Sequence, residues 1–256
     1  MWSRTELKTR AKGVLRKNYW HAFLVSLVIA IAGGNTGWGN RSGFHSNSSR
    51  DLAYSNTDSN IFINWNFIGI TLATFLIAIT IILLLRIFLG YCLEIGGTRY
   101  FVQSAQDKNN RECFKFGFNS NNYMSVIKTM LLKDIFIFLW SLLLIIPGII
   151  KYYAYRMVPY ILADNPNIGV KKAIALSNEM TKGYKFDIFV LDLSFIGWYL
   201  LGALALFIGI LFVMPYENAT NTELYLVLRK NALEDNLCTY EDLLLNQIIL
   251  NDNNRV

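Results

Sequence analysis

From Phe67 to Leu85 the chain runs for nineteen residues without a charged side chain. As a helix rising 1.5 Å per residue, that stretch is long enough to cross about 30 Å of hydrocarbon. The rest of the sequence points the same way. Charged residues make up 16% of the chain, against the quarter or so typical of a soluble domain. Further apolar runs lie at about 19–32, 135–146, 149–163 and 186–215. The expected fold class is all-α: a polytopic transmembrane helix bundle of about six spans, with five as the alternative, and amphipathic helices on the cytoplasmic side. It forms a single integral membrane domain over 1–256.

Residues 1–18 read as an amphipathic, basic N-terminal helix. Ser3 and Glu6 stand at capping-box spacing. Leu7, Ala11, Val14 and Leu15 share one face, and Arg4, Lys8, Arg10, Lys12, Arg16 and Lys17 make the remainder basic. Such a helix is expected to lie on the anionic inner leaflet with its apolar face down, flanked by the interfacial aromatics Trp2, Tyr19 and Trp20. The alternative is a solvated helix that leads into the first span. Gly33-Gly34 ends that span, and 33–64 reads as a flexible external loop rich in Asn, Ser and Gly. Its sequon, Asn47-Ser48-Ser49, reads as an accident of that composition. No cleavable signal peptide is expected, because the first apolar run begins only near Tyr19 and has no A-x-A-like end.

The long second run continues past Arg86 toward Tyr100, where Gly90, Gly96 and Gly97 allow close helix packing or a kink. Pro147-Gly148 breaks the third run and reads as a helix break or hairpin tip. Asp164-Asn165-Pro166-Asn167 is a turn and N-cap signal. A second amphipathic helix follows over 168–182, with Val170, Ala173, Ile174, Ser177 and Met180 on one face and Gly183 placed to end it. Gly202 divides the stretch 186–215, which is long enough for a second hairpin. Residues 216–256 read as a polar C-terminal tail in which Thr239 and Asp242 cap a final short helix.

Basic residues orient these pieces, because cytoplasmic flanks carry the excess of Lys and Arg. Residues 1–18 hold six basic groups, 33–64 two, 86–134 seven and 151–187 six. The N-terminus is therefore expected in the cytoplasm and the 33–64 loop outside. A single span at 135–150 would put 151–187 on the wrong side. A hairpin turning at Pro147-Gly148 removes the conflict, and a second one near Gly202 completes six spans.

From residue 145 to 198 the sequence becomes distinctive. Ile145-Ile146-Pro147-Gly148-Ile149-Ile150-Lys151 is followed by YYAYRMVPYILADN over 152–165 and, after Pro166, by KKAIALSNEMTKGYKFDIFVLDLSFIGW over 171–198. With Arg4-Thr5-Glu6-Leu7-Lys8, Asn18-Tyr19-Trp20, Phe114 to Phe118, Pro215-Tyr216 and Leu224-Tyr225, this resembles the bacterial membrane proteins of domain-of-unknown-function family 975. The layout is more distantly similar to the membrane domain that precedes some glycerophosphodiester phosphodiesterases. The resemblance implies a compact multi-helix bundle in a bacterial cytoplasmic membrane. It implies no activity, no cofactor and no catalytic residues.

Within the runs, Arg156 and Asp192 are the candidate site, since ionisable groups inside a span are costly and mark pairs or pathways. They are expected to face each other in the bundle. Asp187 lies about 140° from Asp192 on a helix, so these two do not make a catalytic carboxylate pair. Glu94 with Arg99 reads as an interfacial pair, and Lys133-Asp134 as a span boundary. His21 and His45 have no ligand-spaced neighbours, and Cys92, Cys113 and Cys238 read as three isolated thiols. No H-E-x-x-H, G-x-S-x-G or Walker A motif occurs.

The basic balance of +6 follows the membrane flanks rather than a nucleic-acid motif. The expected partners are therefore membrane lipids of the anionic inner leaflet and an unidentified protein, with no nucleic acid. The leading functional expectation is a non-enzymatic accessory or scaffold protein of the envelope. The alternatives are a small transporter or permease component and a lipid-modifying membrane enzyme.

Overall fold

The computed structural model describes residues 2–33, 65–204 and 208–245. Among them every regular element is helical: α1 Arg4–Ile31, α2 Trp65–Leu85, a π-helical turn Arg86–Gly90, α3 Tyr91–Ala105, α4 Cys113–Phe118, α5 Ser120–Leu143, α6 Ile145–Ala154, α7 Val158–Asp164, α8 Val170–Met180, α9 Lys185–Leu204 and α10 Ile208–Glu234. The all-α expectation is borne out. Most of the 33–64 loop, with His45 and the sequon at Asn47, lies outside the described residues, as does 246–256.

α1 begins where its cap predicts. Ser3 Oγ accepts the Glu6 N–H at 3.2 Å, which satisfies one of the free donors of the first turn. The Glu6 carboxylate pairs with Arg10 at 2.5 Å. The amphipathic helix and the first apolar run are one helix with a joint at Asn18, whose φ/ψ of −145°/47° is non-helical. Leu7, Ala11 and Leu15 are buried inside the protein. The expectation that this apolar face lies on a lipid surface is therefore corrected: α10 and α3 cover it, and the basic face is left outward.

α2, the π turn and α3 form one rod. A π turn fits one extra residue into a helix, and here it sits where an unpartnered helix becomes a packed one. Among the described elements α2 packs extensively only on that turn, and every residue from Gly69 to Leu85 is exposed. α3 is buried, and its glycines explain how. A Cβ on Gly96 would stand 2.8 Å from the Phe114 Cα, Gly97 lies as tightly against Ile29 of α1, and Gly90 of the π turn against Ala32 just past the end of α1. Small residues let backbones approach where larger ones would clash.

α5 and α6 form the expected helical hairpin. Its break falls at Leu144, extended at φ/ψ −157°/141°, three residues before Pro147. Pro147 sits in the first turn of α6, where a missing N–H costs nothing. Gly148 is what lets the two arms meet, since a Cβ there would stand 2.7 Å from the Ser141 Cα.

Two helical stretches are long and apolar enough to cross a membrane, one within Gly69–Ala105 and the other Lys185–Leu204. Six long apolar helices are not present among the described residues. The run 149–163 bends at Tyr155–Met157, and the run 19–32 is the second half of α1.

The largest correction concerns the C-terminal tail. Residues 216–234 are not a tail but the buried part of α10, which packs against α1, α9, α3 and α8. Leu224, Tyr225, Leu228 and Ala232 join α7, α8 and α9 in the main apolar core. Only the final helix expected at Thr239 falls outside this element, and it is a single turn. There Thr239 N–H donates to Asp242 Oδ2 at 3.0 Å and Asp242 N–H to Thr239 Oγ1 at 3.2 Å.

Candidate functional site

Arg156 lies in the turn between α6 and α7, and the sequence explains why the helix opens there. Pro159 has no N–H to offer Tyr155, so the helical ladder cannot run through. α8 takes up the freed backbone. Ser177 Oγ donates to the Ala154 carbonyl at 2.8 Å and accepts the Met157 N–H at 3.1 Å, and Thr181 Oγ1 also donates to Ala154 at 3.4 Å. The turn turns the Arg156 side chain into the protein, where it is 5% exposed.

Its guanidinium forks onto Asp192 of α9. Nη1 donates to Oδ2 in a short contact, and Nη2 donates to Oδ1 at 2.8 Å. Nη2 also donates to Asn221 Oδ1 of α10 at 3.0 Å, and Tyr153 OH donates to Asp192 Oδ2 at 3.1 Å. A buried ion pair offsets its desolvation only with this kind of geometry and with further hydrogen bonds on the remaining lone pairs.

Around the pair, α10 contributes polar groups that a reading of 216–256 as a tail does not place. Glu217, 1% exposed, accepts a short hydrogen bond from Tyr199 OH. Asn218 Nδ2 donates to Ser26 Oγ of α1 at 2.9 Å. A signal for them exists. Glu217, Asn221, Leu224, Leu228 and Ala232 recur at helical spacing directly after an apolar run, so one continuous helix could have been read through Pro215. Between Arg156, Asn218, Asn221, Thr222, Glu94 and Tyr160 lies a cavity of about 20 Å³, room for about one water molecule.

Two further ionic groups flank this centre. Asp164 at the end of α7 accepts from Arg229 at 2.8 Å and from Tyr225 OH at 2.6 Å. Asp134 of α5 accepts from Tyr91 OH at 2.8 Å and pairs with Lys133 at 3.2 Å, with Arg86 at 4.0 Å. Lys133 is buried within α5, and exposed apolar side chains of that helix follow directly after the pair, at Ile135 and Phe136. Glu94 does not pair with Arg99. Five helical residues separate their side chains by about 140°, and Glu94 lies 3.9 Å from Arg86 while Arg99 donates to the Ala163 carbonyl and covers the Phe116 ring. Pro147 and Gly148 are in the α5–α6 hairpin, on a different element from the Arg156 turn.

Cys92, Cys113 and Cys238 are free, buried and separate. Burial pushes the Cys113 thiol up to about 11 and raises Cys238 as well, which keeps both protonated at neutral pH. His21 is exposed. Among the described residues no three His, Cys, Asp or Glu side chains gather as metal ligands do.

Residues 142–232 match the family described as "Protein of unknown function (DUF975)". The match spans the motif from Pro147 to Trp198, together with Arg156, Asp192, Glu217 and Asn221, and the resemblance is borne out there. No curated protein and no solved structure matches the chain.

Proposed function

We propose that this chain is a multi-pass protein of the bacterial cell membrane, with its N-terminus in the cytoplasm, and that it acts as a non-catalytic accessory or scaffold protein of the envelope. One observation carries the choice over a permease. The Arg156–Asp192 centre is closed, satisfied by Tyr153 and Asn221, and the space beside it is about 20 Å³. Small-molecule sites are clefts of about 300–1,000 Å³, and carriers keep theirs open to one side at mid-membrane.

The membrane placement is supported by α2. A water-soluble protein does not leave seventeen successive residues of an uncharged helix exposed on every face, because such a surface associates or aggregates. In this reading the second half of α1, α2 and the two arms of each hairpin, α5–α6 and α9–α10, make six crossings. The opened backbone at Tyr155–Met157 is tolerated because protein, not lipid, surrounds it.

The test is mild-detergent purification from native membranes with mass spectrometry of retained proteins and lipids, using chain carrying single cysteines at Ser48 or Lys182. A stoichiometric protein partner, with Ser48→Cys labelled only from outside and Lys182→Cys only from inside, is the expected result. A retained small solute without any protein partner would transfer the argument to transport.

A further inference from the structure

Arg4, Lys8, Lys12 and Arg16 stand at successive i, i+4 positions on the first half of α1. Side chains at that spacing are neighbours, and like charges so placed destabilise a helix. Among the described residues no carboxylate neutralises the row. Glu6 is engaged by Arg10 and Asp107 by Lys17, each at 2.5 Å, and no ion pair reaches Arg4, Lys12 or Arg16 among the described residues. Lys8 leans on α9, donating to Ser194 Oγ at 2.7 Å and covering the Phe195 ring. Burial, and then Arg4 and Lys12, lower its pKa.

Beyond the joint at Asn18, Trp20 and Leu24 are 67% and 57% exposed. Along the chain, cation thus gives way to an interfacial aromatic and then to an aliphatic side chain. That is the order in which a bilayer presents headgroups, interface and hydrocarbon. The apolar face of this half-helix is used up inside the protein, so charge is what it has left to offer a membrane.

We infer that the row Arg4, Lys8, Lys12 and Arg16 is a binding surface for the phosphate headgroups of anionic phospholipids in the cytoplasmic leaflet. The inference rests on the membrane reading above. A uniform row of cations beside an exposed Trp-Leu edge fits a lipid surface better than a nucleic acid, whose backbone would leave Trp20 and Leu24 bare.

The experiment titrates the full chain in neutral detergent with short-chain phosphatidylglycerol, with phosphatidylcholine as control, and follows thermal unfolding. Phosphatidylglycerol raises Tm and phosphatidylcholine does not, and salt weakens the effect. Each of R4Q, K12Q and R16Q raises the half-saturating concentration about fivefold. The charge-preserving variant R4K/K12R/R16K behaves as the parent. Equal responses to the two lipids, or an unchanged response in R4Q/K12Q/R16Q, would overturn the inference. So would the same shift from inorganic phosphate alone, which would make this a free-anion site, or from a short DNA duplex. Carbonate extraction of membranes separates the two failures. A chain washed off by carbonate overturns the membrane reading and this surface with it, and a chain that resists extraction but ignores phosphatidylglycerol overturns the surface alone.

Discussion

Take Asp192 away and the Arg156 guanidinium stays where it is, 5% exposed, with Asn221 and the Tyr153 ring beside it. Leaving a buried charge uncompensated costs about 3–5 kcal/mol, so Asp192→Asn and Arg156→Gln should each sharply lower folded yield and Tm. The double variant should lose much less than the sum of the two, and strict additivity in a double-mutant cycle would show that the pair is not coupled. At Asp242 the charge is half-buried and paired with Lys172. The hydrogen bond from Lys172, and next the Thr239 N–H, hold its carboxyl below the ordinary value. The unfolded chain then binds this proton more tightly than the folded one. The stabilisation is full above the ordinary Asp pKa of about 3.9 and fades as pH falls through the lower folded value. Parent and Asp242→Asn should converge in stability as pH drops below about 4, and a constant gap down to pH 2 would exclude the clip. Arg156 and Asp192 were legible because a charge inside an apolar run stands out. Glu217 and Asn221 were not, because they follow such a run, where polar residues look like its end.

Glycines mark which elements touch. Gly96→Ala and Gly148→Ala each push a methyl to within 2.8 Å and 2.7 Å of a neighbouring backbone carbon, and overpacking of this kind costs about 1–3 kcal/mol. Gly13→Ala meets nothing within 4 Å and should stabilise α1 by roughly 1 kcal/mol, the helix-propensity difference between the two residues. Thermal melts of the three variants should therefore split in sign, and destabilisation by Gly13→Ala would contradict the open face of α1. At this scale the sequence was clear wherever a local signal sufficed: the Ser3 cap, the glycines of α3, the amphipathic stripe of α8. It misled where a tertiary partner decided the matter. Pro147 draws the eye as a breaker, yet the chain turns at Leu144 and carries the proline harmlessly inside the next helix. Pro159 does interrupt the path, and only Ser177 and Thr181 of a distant helix make that interruption tolerable.

For the molecule as a whole, the division between α2 and the remainder is the main feature. α2 is exposed along its described side chains, whereas α10 hides six polar residues between Glu217 and Glu223. Apolar surface outside and polar groups within suit a solvent of hydrocarbon. Ile77→Lys places a charge near the middle of α2, which costs about 2.5–3.5 kcal/mol at a bilayer centre and should move the chain out of the carbonate-resistant fraction. If α2 lay in water, the same change would only improve solubility.

The buried centre also imposes an order in time. Arg156, Asp192 and Asn221 meet across 36 and 65 residues of chain. At a synthesis rate of about 5–20 residues per second, the guanidinium is made roughly 2–7 s before its carboxylate. Asn221 follows later still. Throughout that interval the carboxylate that Arg156 forks onto does not yet exist. The centre therefore cannot close before Asn221 of α10 has been made, and a stall between Arg156 and Asp192 leaves the guanidinium without its carboxylate.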